Sequence, residues 1–152
     1  MYHYKESGLN NIYLANGYEE LETEYGPAVS IRNVENLHAA ICRTLVQDNP
    51  DRLSGVETKF IRKQLELTQE ALAECIGVSE QTVRGWERCG VGPIPKQADM
   101  SVRFAYRDIT RDYSRDIKDI IKRARSLNPP DRFSFDFLGE ANGRWDHHEC
   151  AA

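Results

Sequence analysis

The chain has 152 residues, 40% hydrophobic and 29% charged, with 20 Lys and Arg against 24 Asp and Glu for a formal charge of -4. That composition supplies a buried core for one ordinary domain, or a small domain with appendages, and excludes wholesale disorder. No apolar run approaches the ~20 residues of a membrane span, and the opening MYHYKESGLN lacks the apolar run of a secretory signal.

Cys42, Cys75, Cys89 and Cys150 are scattered and form no CxxC pair. The expectation is a cytoplasmic protein with no zinc knuckle, disulfide framework or cofactor. The net acidity argues at first against a nucleic-acid partner, but it is unevenly spread. Residues 1–53 carry four basic and eight acidic groups, whereas residues 54–108 and 109–152 each carry eight of both. All the excess negative charge lies in the first third.

The first third reads as β. Asn11-Ile12-Tyr13-Leu14 is a short apolar run, and Asn16-Gly17 is a two-residue turn signal. Tyr18 to Tyr25 is mostly polar, as in a solvent-facing or edge strand. Gly26-Pro27 breaks the chain, and Ala28 to Ile31 is a third strand. A three-stranded meander fits, and it needs something to pack against. A helix over 34–47 supplies it, with Leu37, Ala40, Ile41 and Leu45 on one face and Asn33 as N-cap. The polar, Pro-containing stretch 48–52 marks a linker or boundary.

Ser54-Gly55-Val56-Glu57 has the pattern of a capping box, in which the Ser oxygen meets the N3 amide and the Glu reaches back. The helix it opens runs to about Glu66, with Val56, Phe60, Ile61 and Leu65 on one face. Thr68 caps a second helix, Gln69–Ile76, which stops at Gly77 in the left-handed C′ position. Ser79 caps a third, Glu80–Arg88, and a fourth runs from about Lys96 to Tyr106 after Pro93 and Pro95. Leu72, Ile76, Val78, Val83 and Trp86 are spaced to share a core, with Cys75 on its apolar side. Ala71 is read as the small residue where the two short helices cross. Two short capped helices joined by a Gly turn form a helix-turn-helix, whose second helix offers its N-terminal side chains to the DNA major groove.

Leu67-Thr68-Gln69-Glu70-Ala71-Leu72-Ala73, Gly77-Val78-Ser79 and Val83-Arg84-Gly85-Trp86-Glu87 together resemble the Cro/C1 (XRE) family of helix-turn-helix DNA-binding proteins. The resemblance covers about residues 54–108. It implies that Glu80, Gln81, Thr82 and Arg84 read bases, with Gln81 suited to adenine, Arg84 to guanine or phosphate, and Glu80 to cytosine. It implies phosphate contacts from Thr68, Gln69, Ser79, Arg88 and Lys96, and a structural ion pair between Arg62 and Glu87. Gly85 departs from the larger side chain often found at its position and reduces readout capacity. Such modules bind tightly when paired on adjacent half-sites, so a homodimer on a palindromic operator in double-stranded DNA is expected.

The chain shows no GxGxxG, P-loop, GxSxG or HExxH, so no enzyme is expected. His147-His148-Glu149-Cys150 is read as a tail segment rather than a metal site. Cys89 is expected to be exposed near the DNA-facing loop, where redox sensing is a weak alternative. Ile109, Tyr113, Ile117, Ile120, Ile121 and Ala124 follow a helical period opposite Arg111, Arg115, Lys118, Lys122, Arg123 and Arg125. That basic face is either solvated or phosphate-facing, and the apolar seam suits dimerisation or packing on the body. Phe133-Ser134-Phe135-Asp136-Phe137 alternates, as a strand or a docking tail would.

The expected organisation is mainly α: a small β-meander plus helix over 1–53, a Cro/C1-type helix-turn-helix bundle over 54–108, and a C-terminal helix and tail over 109–152. A small β domain before such a module resembles the MqsA-type antitoxins, although the zinc ligands of that group are missing. This resemblance implies an autoregulating repressor that binds a basic toxin through residues 1–53. A stand-alone dimeric repressor and a protein-interaction module with a vestigial helix-turn-helix both stay open.

Overall fold

The computed structural model describes residues 1–112, 133–137 and 144–149. Those residues form five α-helices and six short strands, an α+β protein about half helical rather than a mainly α one. The chain divides into two compact units, Met1–Ile41 with Pro130–Ala152, and Cys42–Pro129.

In the first unit, β1 (Tyr2–His3), β2 (Ile12–Leu14), β5 (Phe133–Phe137) and β6 (Trp145–Glu149) form a four-stranded sheet in the order β1-β2-β5-β6. β2 and β5 run parallel, with Ile12 opposite Phe133 and Leu14 opposite Phe135, and both flanking pairs are antiparallel. Ile12, Leu14, Phe133, Ser134, Phe135 and Trp145 are all buried. Burial of three successive residues in β5 marks a strand covered on both faces, as parallel pairing requires. The 133–137 stretch is therefore a central strand of this sheet, not a docking tail.

β3 (Tyr18–Thr23) and β4 (Gly26–Ile31) make a separate two-stranded ribbon. The expected three-stranded meander is not formed. Asn16-Gly17 does turn the chain, with Gly17 at φ 75°, but its carbonyl accepts from the Arg32 amide at 2.9 Å. The turn thus closes the base of the β3–β4 ribbon instead of pairing β2 with β3. Nor does Gly26-Pro27 break the chain. Thr23 pairs with Gly26, so Glu24 and Tyr25 form the tip, and Pro27 lies within β4 opposite Glu22. A ribbon strand with a free edge tolerates the missing N–H. β3 is solvent-facing beyond Tyr18, as its polar sequence predicts.

The helix α1 (Val34–Gln47) follows the expected range, and the Asn36 amide donates to Asn33 Oδ1 at 3.4 Å in support of the cap. Asn36 Oδ1 accepts from the Trp145 amide at 2.6 Å, and the Trp145 indole donates to the Arg32 carbonyl at 2.9 Å. Tyr4 Oη and His38 Nε2 are 2.9 Å apart. These polar contacts tie β6 and the chain after β1 to the region around α1.

The second unit contains α2 (Gly55–Gln64), α3 (Gln69–Ile76), α4 (Glu80–Cys89) and α5 (Lys96–Thr110). The sequence signals at the starts of α2, α3 and α4 are satisfied as physical hydrogen bonds. Ser54 Oγ accepts from the Glu57 amide at 3.3 Å while Glu57 Oε1 accepts from the Ser54 amide at 2.9 Å, closing the capping box. Two further orphan amides of α2 are met from the glycine loop: Gly55 donates to the Gly92 carbonyl at 3.2 Å and Val56 to the Gly90 carbonyl at 2.9 Å. Gly77 ends α3 at φ 75°, in the left-handed conformation that glycine adopts without steric cost.

The 48–52 stretch, which the sequence marks as a linker or boundary, is held firmly in this unit. Arg103 is buried on α5 and ion-paired to Asp99 at 3.1 Å. Its guanidinium donates to the carbonyls of Val46, Asn49 and Asp51 at 3.0, 2.9 and 2.6 Å. Asp99 also accepts from the Leu53 amide at 2.9 Å. A buried charge is tolerated here because nearly every donor and acceptor is matched.

One core assignment changes. Ala73 is buried in the helix-turn-helix core at 2% exposure, and Ala71 is half-buried. Cys75 is exposed rather than part of the core. Leu72, Ala73 and Val83 form the buried cluster, flanked by Leu67, Ile76, Val78 and Trp86. Of the expected C-terminal helix, Ile109 belongs to α5, and residues 113–132 lie outside the described residues.

Candidate nucleic-acid interface

The candidate interface is built from the N-terminal ends of α3 and α4. Thr68 Oγ1 accepts from the Ala71 amide at 3.0 Å, and Ser79 Oγ accepts from the Thr82 amide at 3.2 Å. The hydroxyls of Ser79 and Thr82 also meet at 2.7 Å. Each cap satisfies one amide and leaves others at a helix end that carries partial positive charge, which suits phosphate. Gln81, Thr82 and Arg84 are exposed, Glu80 is half-buried, and Val83 beneath them is fully buried. The alternation follows the helical period and turns the expected base-reading residues outward.

Arg62 and Glu87 do form the expected ion pair. Arg62 Nε and Nη2 donate to the two Glu87 oxygens at 2.6 and 3.2 Å, a bidentate fork, and Nη1 donates to the Leu67 carbonyl at 2.9 Å. Their side chains are 12% and 5% exposed. Burial raises the Glu87 carboxyl, but hydrogen bonds from Arg62 and Gln69 and the charges of Arg62 and Lys59 outweigh it, so the group sits below the usual carboxylate range.

Gln69 joins this pair rather than standing free. Its amide donates to Glu87 Oε2 at 2.5 Å, and its carbonyl accepts from Arg84 Nε at 3.4 Å. Arg84 Nη2 in turn donates to Glu80 Oε1 at 2.7 Å, across one turn of α4. A continuous chain Arg62–Glu87–Gln69–Arg84–Glu80 therefore links α2, α3 and α4. The family pattern anticipated its first link. The others depend on where the side chains of two helices meet, which one-dimensional spacing does not reveal.

Arg88, at the end of α4, and Lys96, at the start of α5, are exposed and form no ion pair among the described residues. They remain available to phosphate, though nothing in the network joins them to Arg84. Cys89 is exposed, as expected. His147, expected in a tail, lies instead in β6, with its ring 5.6 Å from those of Phe133 and Phe135. Cys150 lies outside the described residues. Among the described residues, no group of three or more His, Cys, Asp or Glu side chains is arranged to hold a metal ion. No described helix is long and apolar enough to cross a membrane.

Most of α2 together with capped α3, the Gly77 turn and α4 is the arrangement that decides the comparison with known families. Residues 59–88 match the helix-turn-helix family. The match spans most of α2, all of α3 and nearly all of α4, and supports both the Cro/C1-type reading and DNA binding by this segment. No curated protein and no solved structure matches the chain.

Proposed function

We propose that this helix-turn-helix protein is a sequence-specific transcriptional repressor that binds a palindromic operator as a homodimer. The observation that carries the reading is the exposed face of α4. Gln81, Thr82 and Arg84 project from a helix whose underside is locked by Val83 and by the Arg62–Glu87 pair. A rigid helix with polar, hydrogen-bonding side chains at its N-terminal end matches major-groove readout. Arg84 is assigned with Gln81 and Thr82 to the base edges, and Thr68, Ser79, Arg88 and Lys96 to phosphates. One module buries limited DNA surface, so two copies on half-sites about 34 Å apart supply the affinity. The protein would act in the cytoplasm and needs no cofactor or catalytic group for this role.

Titration of a duplex from the chain's own promoter with the full-length protein tests the reading. Binding should survive competitor DNA of unrelated sequence and weaken steeply with salt. Lys96→Ala should weaken binding to all sequences and lower the salt slope by about one unit. Equal binding to promoter and competitor would reject the proposal.

A second partner is supported by the β3–β4 ribbon. Glu20, Glu22 and Glu24 carry no ion pair among the described residues, and Leu21 and Tyr25 are 47% and 98% exposed. An acidic ribbon with exposed apolar side chains suits a basic protein surface, as a cognate toxin bound through residues 1–53 would present. Co-expression with the products of neighbouring genes tests this. Failure of every basic neighbour to co-purify would leave the stand-alone repressor.

A further inference from the structure

We propose that Gln69 and Glu80 are positioning residues that make Arg84 a guanine reader, by occupying one side of its guanidinium and leaving the other side for the base. The inference rests on the DNA-binding reading above and specifies how its central side chain is aimed.

A guanidinium has five N–H donors in a plane, and they form two forks. One fork is made by Nε and the neighbouring proton of Nη2. The other is made by Nη1 and the far proton of Nη2. Arg62 shows the first fork in use, with Nε and Nη2 on the two oxygens of Glu87. In Arg84, Nε and Nη2 are engaged as well, but by two different acceptors. Nε donates to the Gln69 carbonyl at 3.4 Å and Nη2 to Glu80 at 2.7 Å. Nη1 of Arg84, which with Nη2 makes the end-on fork, meets no acceptor among the described residues. That fork has the geometry to donate to O6 and N7 of guanine together.

Gln69 is itself fixed. Its amide nitrogen donates to Glu87, whose other oxygen is held by Arg62. This bond sets which end of the Gln69 amide faces Arg84, because Glu87 accepts only from the nitrogen and leaves the oxygen for the Arg84 N–H. The buried ion pair thus orients Gln69, and Gln69 orients Arg84. An Arg held at one fork loses less side-chain freedom on meeting a base than a free one. Glu80 adds a selective element. It partly neutralises Arg84 and disfavours its straying to a phosphate, which any sequence would offer.

A positioning role for Gln69 and a phosphate-binding role have different readouts. If Gln69 holds a phosphate, its removal weakens binding to all sequences alike. If Gln69 positions Arg84, its removal erodes preference at the base pair that Arg84 reads. The preference is a ratio of affinities of one variant for two duplexes. It is unchanged by the fraction of that variant that is folded, so a destabilised variant still reports.

The test uses the full chain and a pool of randomised DNA duplexes. Selection with the wild-type protein defines the preferred site, and Arg84→Ala identifies the guanine whose preference collapses. Gln69→Ala and Glu80→Ala should then each reduce preference for that guanine about tenfold, within the discrimination one bidentate contact supplies. Preferences at other positions should stay within about twofold. Glu80→Gln retains an acceptor oxygen but not the charge, so it should restore only part of the preference. In an Arg84→Ala background, Gln69→Ala should change nothing at that position. The proposal is overturned if Gln69→Ala and Glu80→Ala keep the guanine preference, whatever happens to overall affinity. It is also overturned if Arg84→Ala removes no guanine preference from a site the wild type does select. Should the wild-type chain select no sequence at all, the DNA-binding reading falls and this inference with it.

Discussion

Gly55, at the first turn of α2, lies directly against the backbone carbonyl of Trp86 in α4, so closely that a Cβ at position 55 would overlap it. The Gly90 carbonyl stands 3.3 Å from the same point. Both neighbours are backbone and cannot swing aside. Gly55→Ala should therefore separate α2 from α4 and cost about 3 kcal/mol, the upper part of the usual overpacking range. Urea unfolding of the two proteins measures this. A change below about 0.5 kcal/mol would show that the helices are not so closely apposed.

The Arg62–Glu87 pair makes stability depend on pH in a defined direction. The Glu87 carboxyl is held below its ordinary value in the folded protein. Its contribution is therefore complete above the unfolded pKa of about 4.3 and is lost as pH falls through the folded value. Glu87→Gln should remove that part of the acid-induced loss. Arg62→Ala should destabilise at neutral pH by about 3 kcal/mol, because it strands a mostly buried carboxylate. Thermal unfolding from pH 7 to pH 3 resolves both effects. Identical pH profiles for wild type and Glu87→Gln would contradict the assignment.

His38 behaves in the opposite chemical sense in the first unit. Burial holds its imidazole below the usual value of about 6.5. The unfolded chain takes up the proton more readily, so stability is complete above about pH 6.5 and falls as pH drops through the folded value. NMR titration of the His38 ring should give a midpoint below that of a histidine in the urea-unfolded chain. An equal or higher midpoint would show that the ring is not buried beside Tyr4.

Gly85 lies within α4, yet a Cβ there would meet nothing within 4 Å. Glycine in a helix interior costs roughly 0.5–1 kcal/mol relative to alanine. Gly85→Ala should accordingly raise the melting temperature by about 2 °C. A fall would reveal a close neighbour of that position.

The helix-turn-helix was legible because its instructions are local. Ser54, Thr68, Ser79 and Gly77 act on amides and carbonyls within four residues, and the apolar period of Leu72, Ile76, Val83 and Trp86 is short. The β region was not. β2 finds its partner in β5, far along the chain, and no local turn signal encodes a parallel pairing of that kind. The role of Arg103 is hidden from the sequence for a related reason. Charged residues are ordinarily assigned to the surface, and its acceptors are backbone carbonyls of the 46–51 segment, which any sequence would supply. At the interface, the helix-turn-helix pattern marks Gln69 by its place in the sequence. Its bonds to Glu87 and Arg84 arise only once α3 and α4 have docked.

The central claim is that α4 reads DNA sequence, and the ratio of two dissociation constants tests it most directly. Fluorescence anisotropy at physiological salt would compare the full chain on its own promoter duplex and on a scrambled duplex of equal length and composition. The account predicts at least about a thousandfold preference for the promoter, reduced by Gln81→Ala and by Arg84→Ala. Equal affinity for the two duplexes, or a preference that survives both substitutions intact, would contradict it.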